Sequence, residues 1–370
     1  MRPIFAFAAD LQARESAYKS NKDLKGDDLY ALAQVVNNCI ALSIPLILGG
    51  DQVDTPTIGD EHTVNIRKEL GRMTAPVWYI DGNHERGFRR LSLEGGPAAV
   101  ALNLEGLDLE IGGHSIKGFN WRTRKAWEEY LGNNKLAKAD VVILHGFAEQ
   151  VVASLGLPKG ETPMSDFDLN WFDGTYKLAL MGDIHMEWNY RGQKNTSFWY
   201  SGSMWMHRVG EPEEKSYILV YEDLSVKRVS LNCRPYLTQK VESISDLEKV
   251  CKWLDKTKKN PYLAAMELYM GSKLPRVHLV IPADMTYDMV QVLDKIEARA
   301  YVFKKVDNSH DQDLNEIKGS LEEKVDLDTA LGKLLNSADA QEAEAIAFIK
   351  QAMTVGFDDA VKDLKTKLGV

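Results

Sequence analysis

Short apolar runs alternate with amphipathic stretches from the first residues onward. Residues 4–9, 45–48 and 77–80 are near-continuous apolar runs, the pattern of strands covered on both faces. Between them, residues 29–42 and 64–73 carry apolar positions at helical spacing, so the opening third of the chain predicts a βαβαβ order. Further on the pattern becomes richer in strands, expected at residues 107–111, 115–119, 141–144, 176–181, 196–200, 217–221 and 225–231 with turn residues between them. A two-sheet α/β core is the simplest container for these elements. After Arg234-Pro235 the pattern changes to a helix at 244–258, a strand at 276–281, a helix at 286–298 and a strand at 300–306, which predicts a small α+β domain over 236–306. Residues 307–326 are polar and charged, as in a solvated linker. Residues 327–370 read as helical, with Leu331, Leu334, Leu335, Ile346, Ile349 and Met353 forming an apolar stripe that must be covered by this chain or by a partner. No internal repeat is present.

Composition narrows the class without naming a chemistry. With 44% hydrophobic and 27% charged residues over 370 positions, the chain is globular by composition, not disordered or collagen-like. No apolar run reaches the ~18–20 residues a membrane span needs, and the N-terminus lacks a small-residue cleavage signature, so a soluble, cytoplasmic protein is expected. Three cysteines, Cys39, Cys233 and Cys251, without CxxC spacing, suit reduced thiols. The net charge of −9 argues against indiscriminate coating of nucleic acid but leaves room for a local basic groove.

The informative residues stand just past the predicted strands, where ligand-binding groups collect in layered α/β proteins. Five short motifs occur in order: Asp10-Leu11-Gln12, Gly50-Asp51-Gln52-Val53-Asp54, Gly82-Asn83-His84-Glu85, His145-Gly146 and Gly182-Asp183-Ile184-His185. Singly, each has an ordinary reading as a turn or a satisfied histidine. Together they supply what a dinuclear centre needs: a carboxylate able to bridge two cations, further carboxylates and imidazoles, and a neutral amide oxygen.

This set resembles the calcineurin-like metallophosphoesterases, over at least residues 4–235. The succession continues with Tyr200-Ser201-Gly202-Ser203 and then Cys233-Arg234-Pro235-Tyr236, and in this it resembles the SbcD-type nuclease subunit of the double-strand-break repair complex. Read as an ordinary hairpin turn and a packed helical pair, the Tyr200–Ser203 loop and the tail would carry no such meaning. The resemblance implies an α-β-β-α metallophosphoesterase sandwich over 1–235, a DNA-binding capping domain over 236–306, a linker over 307–326 and a helical segment over 327–370 that binds an SbcC-type ATPase. It also implies a homodimer, in a bacterial cytoplasm or, for a virus, the host's.

Carried over residue by residue, Asp10 and His185 would hold the first metal, Asp51 would bridge both, and Asn83, His145 and Asp183 would hold the second. His84 would be the catalytic proton donor or stabiliser of the reacting phosphate. Two divalent ions are implied, Mn²⁺ foremost and Mg²⁺ as the alternative. Gln12 stands where the family has histidine and would be a weaker, neutral ligand. Asp183 replaces a frequent histidine, and Asp54 is a candidate for orienting a ligand from behind. Arg86, Arg89 and Arg90, following the catalytic turn, are the leading candidates for phosphate contacts, against the plainer reading of solvated surface charge. The activity implied is metal-dependent DNA exo- or endonuclease cleavage in end processing. A small-molecule phosphodiesterase or phosphatase of the same chemistry is the competing reading, and a scaffold with a decayed site is a third.

Overall fold

The strands of the core are apolar at almost every position because each is covered twice, by the other sheet on one face and by helices on the other. The computed structural model describes residues 1–14, 26–55, 60–85, 101–154, 165–207, 211, 214–258, 274–282 and 285–307. The chain divides into two compact units, residues 1–280 with 285–305, and residues 281–284 with 306–370. Of the second, only 281–282 and 306–307 are described. The expected helical segment at 327–370, the linker beyond Asp307, and Arg86, Arg89 and Arg90 lie outside the described residues.

The first sheet runs, in spatial order, β12 (Val226–Leu231), β11 (Lys215–Tyr221), β1 (Pro3–Ala8), β2 (Leu46–Gly49), β3 (Val77–Ile80) and β4 (Leu102–Asn103). The second runs β5 (Leu109–Ile111), β6 (His114–Gly118), β7 (Val141–His145), β8 (Leu178–Gly182), β10 (Ser197–Tyr200) and β9 (Trp188–Arg191). Each has four parallel strands flanked by antiparallel ones: β1 to β4 in the first, and β6, β7, β8 and β10 in the second. The two-sheet sandwich expected from the sequence is the fold observed.

Strand periodicity decides which layer each apolar residue enters. Along β1, Phe5 and Phe7 face the core between the sheets, together with Ile47, Ile80, Val141, Ile143, Leu178 and Leu180. Ala6 and Ala8 face the other way, onto Leu32, Val35, Val36 and Cys39 of helix α1 (Asp27–Leu42) and Ile66 and Leu70 of α2 (Asp60–Leu70). On the far side, Val142, Leu144, Ala179 and Met181 pack with Trp127 of α3 (Arg124–Asn133) and Val151 of α4 (Glu149–Ser154). Each fully buried phenylalanine contributes about 1.5–3 kcal/mol.

Periodicity misplaces a few elements. Helix α2 begins at Asp60 and ends at Leu70, not at 64 and 73, since its polar first turn carries no apolar signal and Gly71 stops it. The strand expected at 107–111 starts at Leu109 because the chain turns around Gly106, whose φ is 80°. Helix α3 buries only Trp127 fully and so shows no stripe to read. Periodicity also misses the short strands β4 and β9, and β13 (Tyr236–Lys240) directly after Arg234-Pro235.

β13 forms a three-stranded sheet with β14 (Arg276–Pro282) and β15 (Tyr301–Asp307), accompanied by α5 (Ile244–Thr257) and α6 (Tyr287–Glu297). At the connection, Arg234 donates to the buried Asp27 at the start of α1 from Nε (3.0 and 3.1 Å) and Nη2 (2.6 Å). Removing one partner of such a buried pair strands the other charge, at a cost of about 3–5 kcal/mol.

Candidate metal centre

Parallel strands bring their carboxyl ends to one rim, and the polar residues singled out by sequence follow those ends: Asp10 after β1, Asp51 after β2, Asn83 and His84 after β3, His145 closing β7, and Asp183 and His185 after β8. The loops after β1 and β2 are joined through main-chain bonds, Asp10 N to Gly50 O at 3.1 Å, Gln12 N to Asp51 O at 2.7 Å and Ala13 N to Gln52 O at 2.9 Å. Asp10, Gln12, Asp51 and Asp183 all have positive φ, 54°, 38°, 53° and 98°. That conformation is uncommon outside glycine and is held here by the surrounding contacts, a form of strain that collects at functional sites.

The glycines of the motifs serve close approach. A Cβ on Gly82 would collide with Asp51 Oδ1 and its main-chain nitrogen, and one on Gly50 would collide with His145 Nδ1. Glu85, the last residue of the Gly82 motif, gathers the same loops. Its carboxylate accepts from the main-chain nitrogens of Gly82 (2.6 Å), Asp51 (3.0 Å) and Val53 (3.1 Å). Burial and the neighbouring Asp51 charge nonetheless push its pKa up to about 8.

Asp51 is the centre of the arrangement and is fully buried. Its Oδ1 lies 3.3 Å from His145 Nε2 and accepts from His84 N at 3.0 Å, while its Oδ2 lies 3.3 Å from Gln12 Nε2 and 3.7 Å from His84 Nε2. His145 thus meets Oδ1 and Gln12 meets Oδ2, while the Asn83 amide spans both oxygens. On one side stand His145, Asn83 and Asp183, with His145 Nε2 3.3 Å from Asn83 Oδ1 and 3.7 Å from Asp183 Oδ1. On the other stand Gln12 and His185, whose facing nitrogens are 3.1 Å apart. Asp10 joins the sides by accepting from Asp183 N at 3.0 Å on both carboxylate oxygens. Oxygen and nitrogen atoms of Asp10, Asp51 and His145 lie within 4.8 Å of one another, close enough to share a metal ion.

The donor set fits a divalent cation. His145 Nδ1 donates to Gly49 O at 2.8 Å, which leaves Nε2 facing Asp51, able to offer a lone pair to a cation once it gives up its proton. Asn83 Oδ1 also faces acceptors, the Asp51 carboxylate and His145 Nε2; turning the amide over would let its nitrogen donate to them at 2.9, 3.0 and 3.3 Å. With its oxygen turned inward, the same side chain can ligate a cation.

The titration behaviour of the metal-free residues follows from the same crowding. Burial raises Asp10 to about 7 and Asp183 to about 6, with the Asp51 charge adding to both against the opposing histidines. Burial works against ionisation of Asp51 too, but His145 and His84 outweigh it and hold its pKa down to about 2. For His145, burial favours the neutral ring, yet Asp51, Asp10 and Asp183 raise its pKa well above the usual imidazole value.

His84 projects toward solvent, its side chain 28% exposed where that of His145 is wholly covered. Its Nδ1 meets the Asp54 carbonyl at 2.6 Å. The Asp54 side chain instead faces Arg14 Nη1 at 3.6 Å, so Asp54 orients His84 through its main chain.

Three participants, Glu211, Lys215 and His207, belong to none of the five motifs. Glu211 Oε1 meets His185 Nδ1 at 2.7 Å, and its Oε2 accepts from Lys215 Nζ at 2.7 Å and His207 N at 3.1 Å. Burial opposes its charge, but His185 and Lys215 prevail and its pKa falls to about 2. Lys215 is itself buried, at the start of an apolar strand, which is the signal that could have pointed to a carboxylate partner. His207 is buried beside His185, ring centroids 4.9 Å apart, and its Nε2 meets Asp10 O at 3.1 Å. Burial and His185 keep it well below the usual imidazole pKa, hence neutral.

No protein-family model matches the sequence, and a search of curated proteins finds no relative. Among solved structures, partial likeness is found to a dimetal phosphatase from Danio rerio, 12% identical over 62% of this chain and 100% of that one, TM-score 0.39. It extends to a Thermus thermophilus protein described as hypothetical, 13% identical over 62% of this chain and 99% of the other, TM-score 0.37. A purple acid phosphatase from yellow lupin seeds is 11% identical over 59% of this chain and 49% of its own, TM-score 0.32.

Proposed function

We propose that this chain is a metal-dependent phosphoesterase that hydrolyses phosphodiester bonds, with DNA as its substrate. The observation that carries the reading is the placement of Asp51. It is one buried carboxylate with His145 Nε2 3.3 Å from Oδ1 and Gln12 Nε2 3.3 Å from Oδ2. Asp51 with Asn83, His145 and Asp183 would hold one divalent cation, and Asp51 with Asp10 and His185, beside Gln12, a second. Such cations, Mn²⁺ or Mg²⁺ given the oxygen-rich set, would supply Lewis-acid polarisation of the phosphate and of the attacking water.

The protein's own groups do the rest. The Asp54 carbonyl fixes the His84 Nδ1–H and leaves Nε2 on the open side of the site, 3.7 Å from Asp51 Oδ2. Once protonated, His84 can deliver that Nε2 proton to the leaving sugar oxygen as the P–O bond breaks. Glu211 holds His185 in one orientation, and Glu85 holds Asp51 and the turn carrying Asn83 and His84 through three main-chain bonds.

DNA as substrate, an SbcC-type ATPase partner bound through residues 327–370 and a homodimeric assembly all rest on the order of motifs from Asp10 to Arg234-Pro235. Arg86, Arg89 and Arg90 belong to the same proposal, as phosphate contacts beside the catalytic turn. Cleavage assays with Mn²⁺ on linear duplex DNA, single-stranded DNA, cyclic dinucleotides and a chromogenic phosphomonoester test the reading. Metal-dependent cleavage of DNA is expected. Turnover of cyclic dinucleotides or the monoester alone would shift the assignment to a small-molecule phosphodiesterase or phosphatase, and no turnover of any substrate would leave a binding protein.

A further inference from the structure

The two sides of Asp51 present different side chains to a cation. Toward His145 stand carboxylate oxygens of Asp51 and Asp183, His145 Nε2, which carries a lone pair in the neutral ring, and the Asn83 amide, which can turn its oxygen inward. Toward His185, a donor occupies the space. Gln12 Nε2 lies 3.3 Å from Asp51 Oδ2 and 3.1 Å from His185 Nε2. Glu211 takes the His185 Nδ1–H at 2.7 Å, so in the neutral ring His185 Nε2 carries the lone pair and accepts from Gln12. The two hydrogens of one carboxamide thus satisfy a carboxylate and an imidazole together, without adding charge.

Gln12 has little freedom to leave. It is 4% exposed, its φ is 38°, and its main-chain nitrogen is bound to Asp51 O at 2.7 Å. To act as a ligand, its amide must turn over, giving up both hydrogen bonds, and then it offers only a neutral carbonyl.

We propose that Gln12 is a hydrogen-bonded plug in the first cation position, so that the chain takes one divalent cation tightly on the His145 side and a second only weakly. The proposal rests on the metal-dependent reading above. Losing two hydrogen bonds, one of them to a carboxylate, separates the two affinities by about 100-fold. Between those affinities the protein holds a single ion per chain, and its dependence on metal concentration has two phases.

Calorimetric titration of the full chain with Mn²⁺, followed in parallel by electron paramagnetic resonance, tests this. The wild-type chain is expected to bind one Mn²⁺ tightly with the six-line spectrum of an isolated ion. Gln12→His is expected to bind two at the same concentration, with the broadened signal of a coupled pair. Gln12→Ala separates a plug from a poor ligand: removing a plug strengthens the second binding event, whereas removing a ligand weakens it. Two equally tight ions in the wild type, or weaker second binding in Gln12→Ala, would overturn the plug and leave the metalloenzyme reading standing. No Mn²⁺ bound by the wild type, or binding unchanged by Asp51→Asn, would instead overturn the metalloenzyme reading on which the plug depends.

Discussion

The two histidines flanking Asp51 are held in different ways. His145 gives its Nδ1–H to a main-chain carbonyl, Gly49 O, inside the strand layer. His185 gives its Nδ1–H to a carboxylate, Glu211, which is in turn bound by the buried Lys215. A carbonyl partner fixes the tautomer and the ring's direction. A carboxylate partner does that and also makes the far nitrogen more basic. The His145 side is therefore set by the backbone of the fold, while the His185 side depends on side chains that single substitutions can reach.

Asp51 serves both sides, so Asp51→Asn should erase the contrast. Loss of bound Mn²⁺ by calorimetry and of hydrolysis to background are expected, an effect of about 10³-fold or more. His84→Ala should leave metal binding on both sides intact and lower turnover by about 10²- to 10⁴-fold; retention of full turnover would remove His84 from the mechanism. Glu211→Gln should sharpen the contrast by weakening only the His185 side, lowering metal affinity or activity by about 10- to 100-fold, with tight single-ion binding preserved. An equal loss on both sides would show that the two are not separately held.

The smallest expected effect is on stability against pH in the metal-free chain. Asp10 is raised to about 7 when folded, so the folded state binds more protons between the ordinary carboxylate value and that pH, and stability falls as pH rises through this window. Glu211 is lowered to about 2, so its contribution is present above its ordinary value of 4.5 and is lost as pH falls from there toward 2. Thermal unfolding profiles should flatten between pH 4 and 7 in Asp10→Asn and below pH 4.5 in Glu211→Gln. Mn²⁺ should raise the melting temperature more at pH 7 than at pH 5, because at the lower pH it must displace a proton from Asp10.

Much of this was legible along the chain. Apolar runs mark β1, β2, β3, β7 and β8, and the polar residues placed just beyond them, Asp10, Asp51, Asn83, His145 and Asp183, do meet at one rim. The reason is local: a strand covered on both faces must be apolar, and the chemistry-bearing residue can appear only where cover ends. Helix α3 and strand β13 escaped notice because an element with one buried anchor, or with half its residues polar, has no period to detect.

Other features depended on contacts between distant segments. Spacing cannot tell that Phe5 and Phe7 enter the layer between the sheets while Ala6 and Ala8 face α1, since both sets are apolar. Nor could it pair Glu211 with His185, 26 positions away, or show that the Gln12 amide nitrogen lies between Asp51 and His185. Sequence determined which residues could do chemistry and at which strand ends they stand. The tertiary structure decided which atom of each faces which neighbour, because hydrogen bonding and burial are properties of the assembled loops and have no period along the chain.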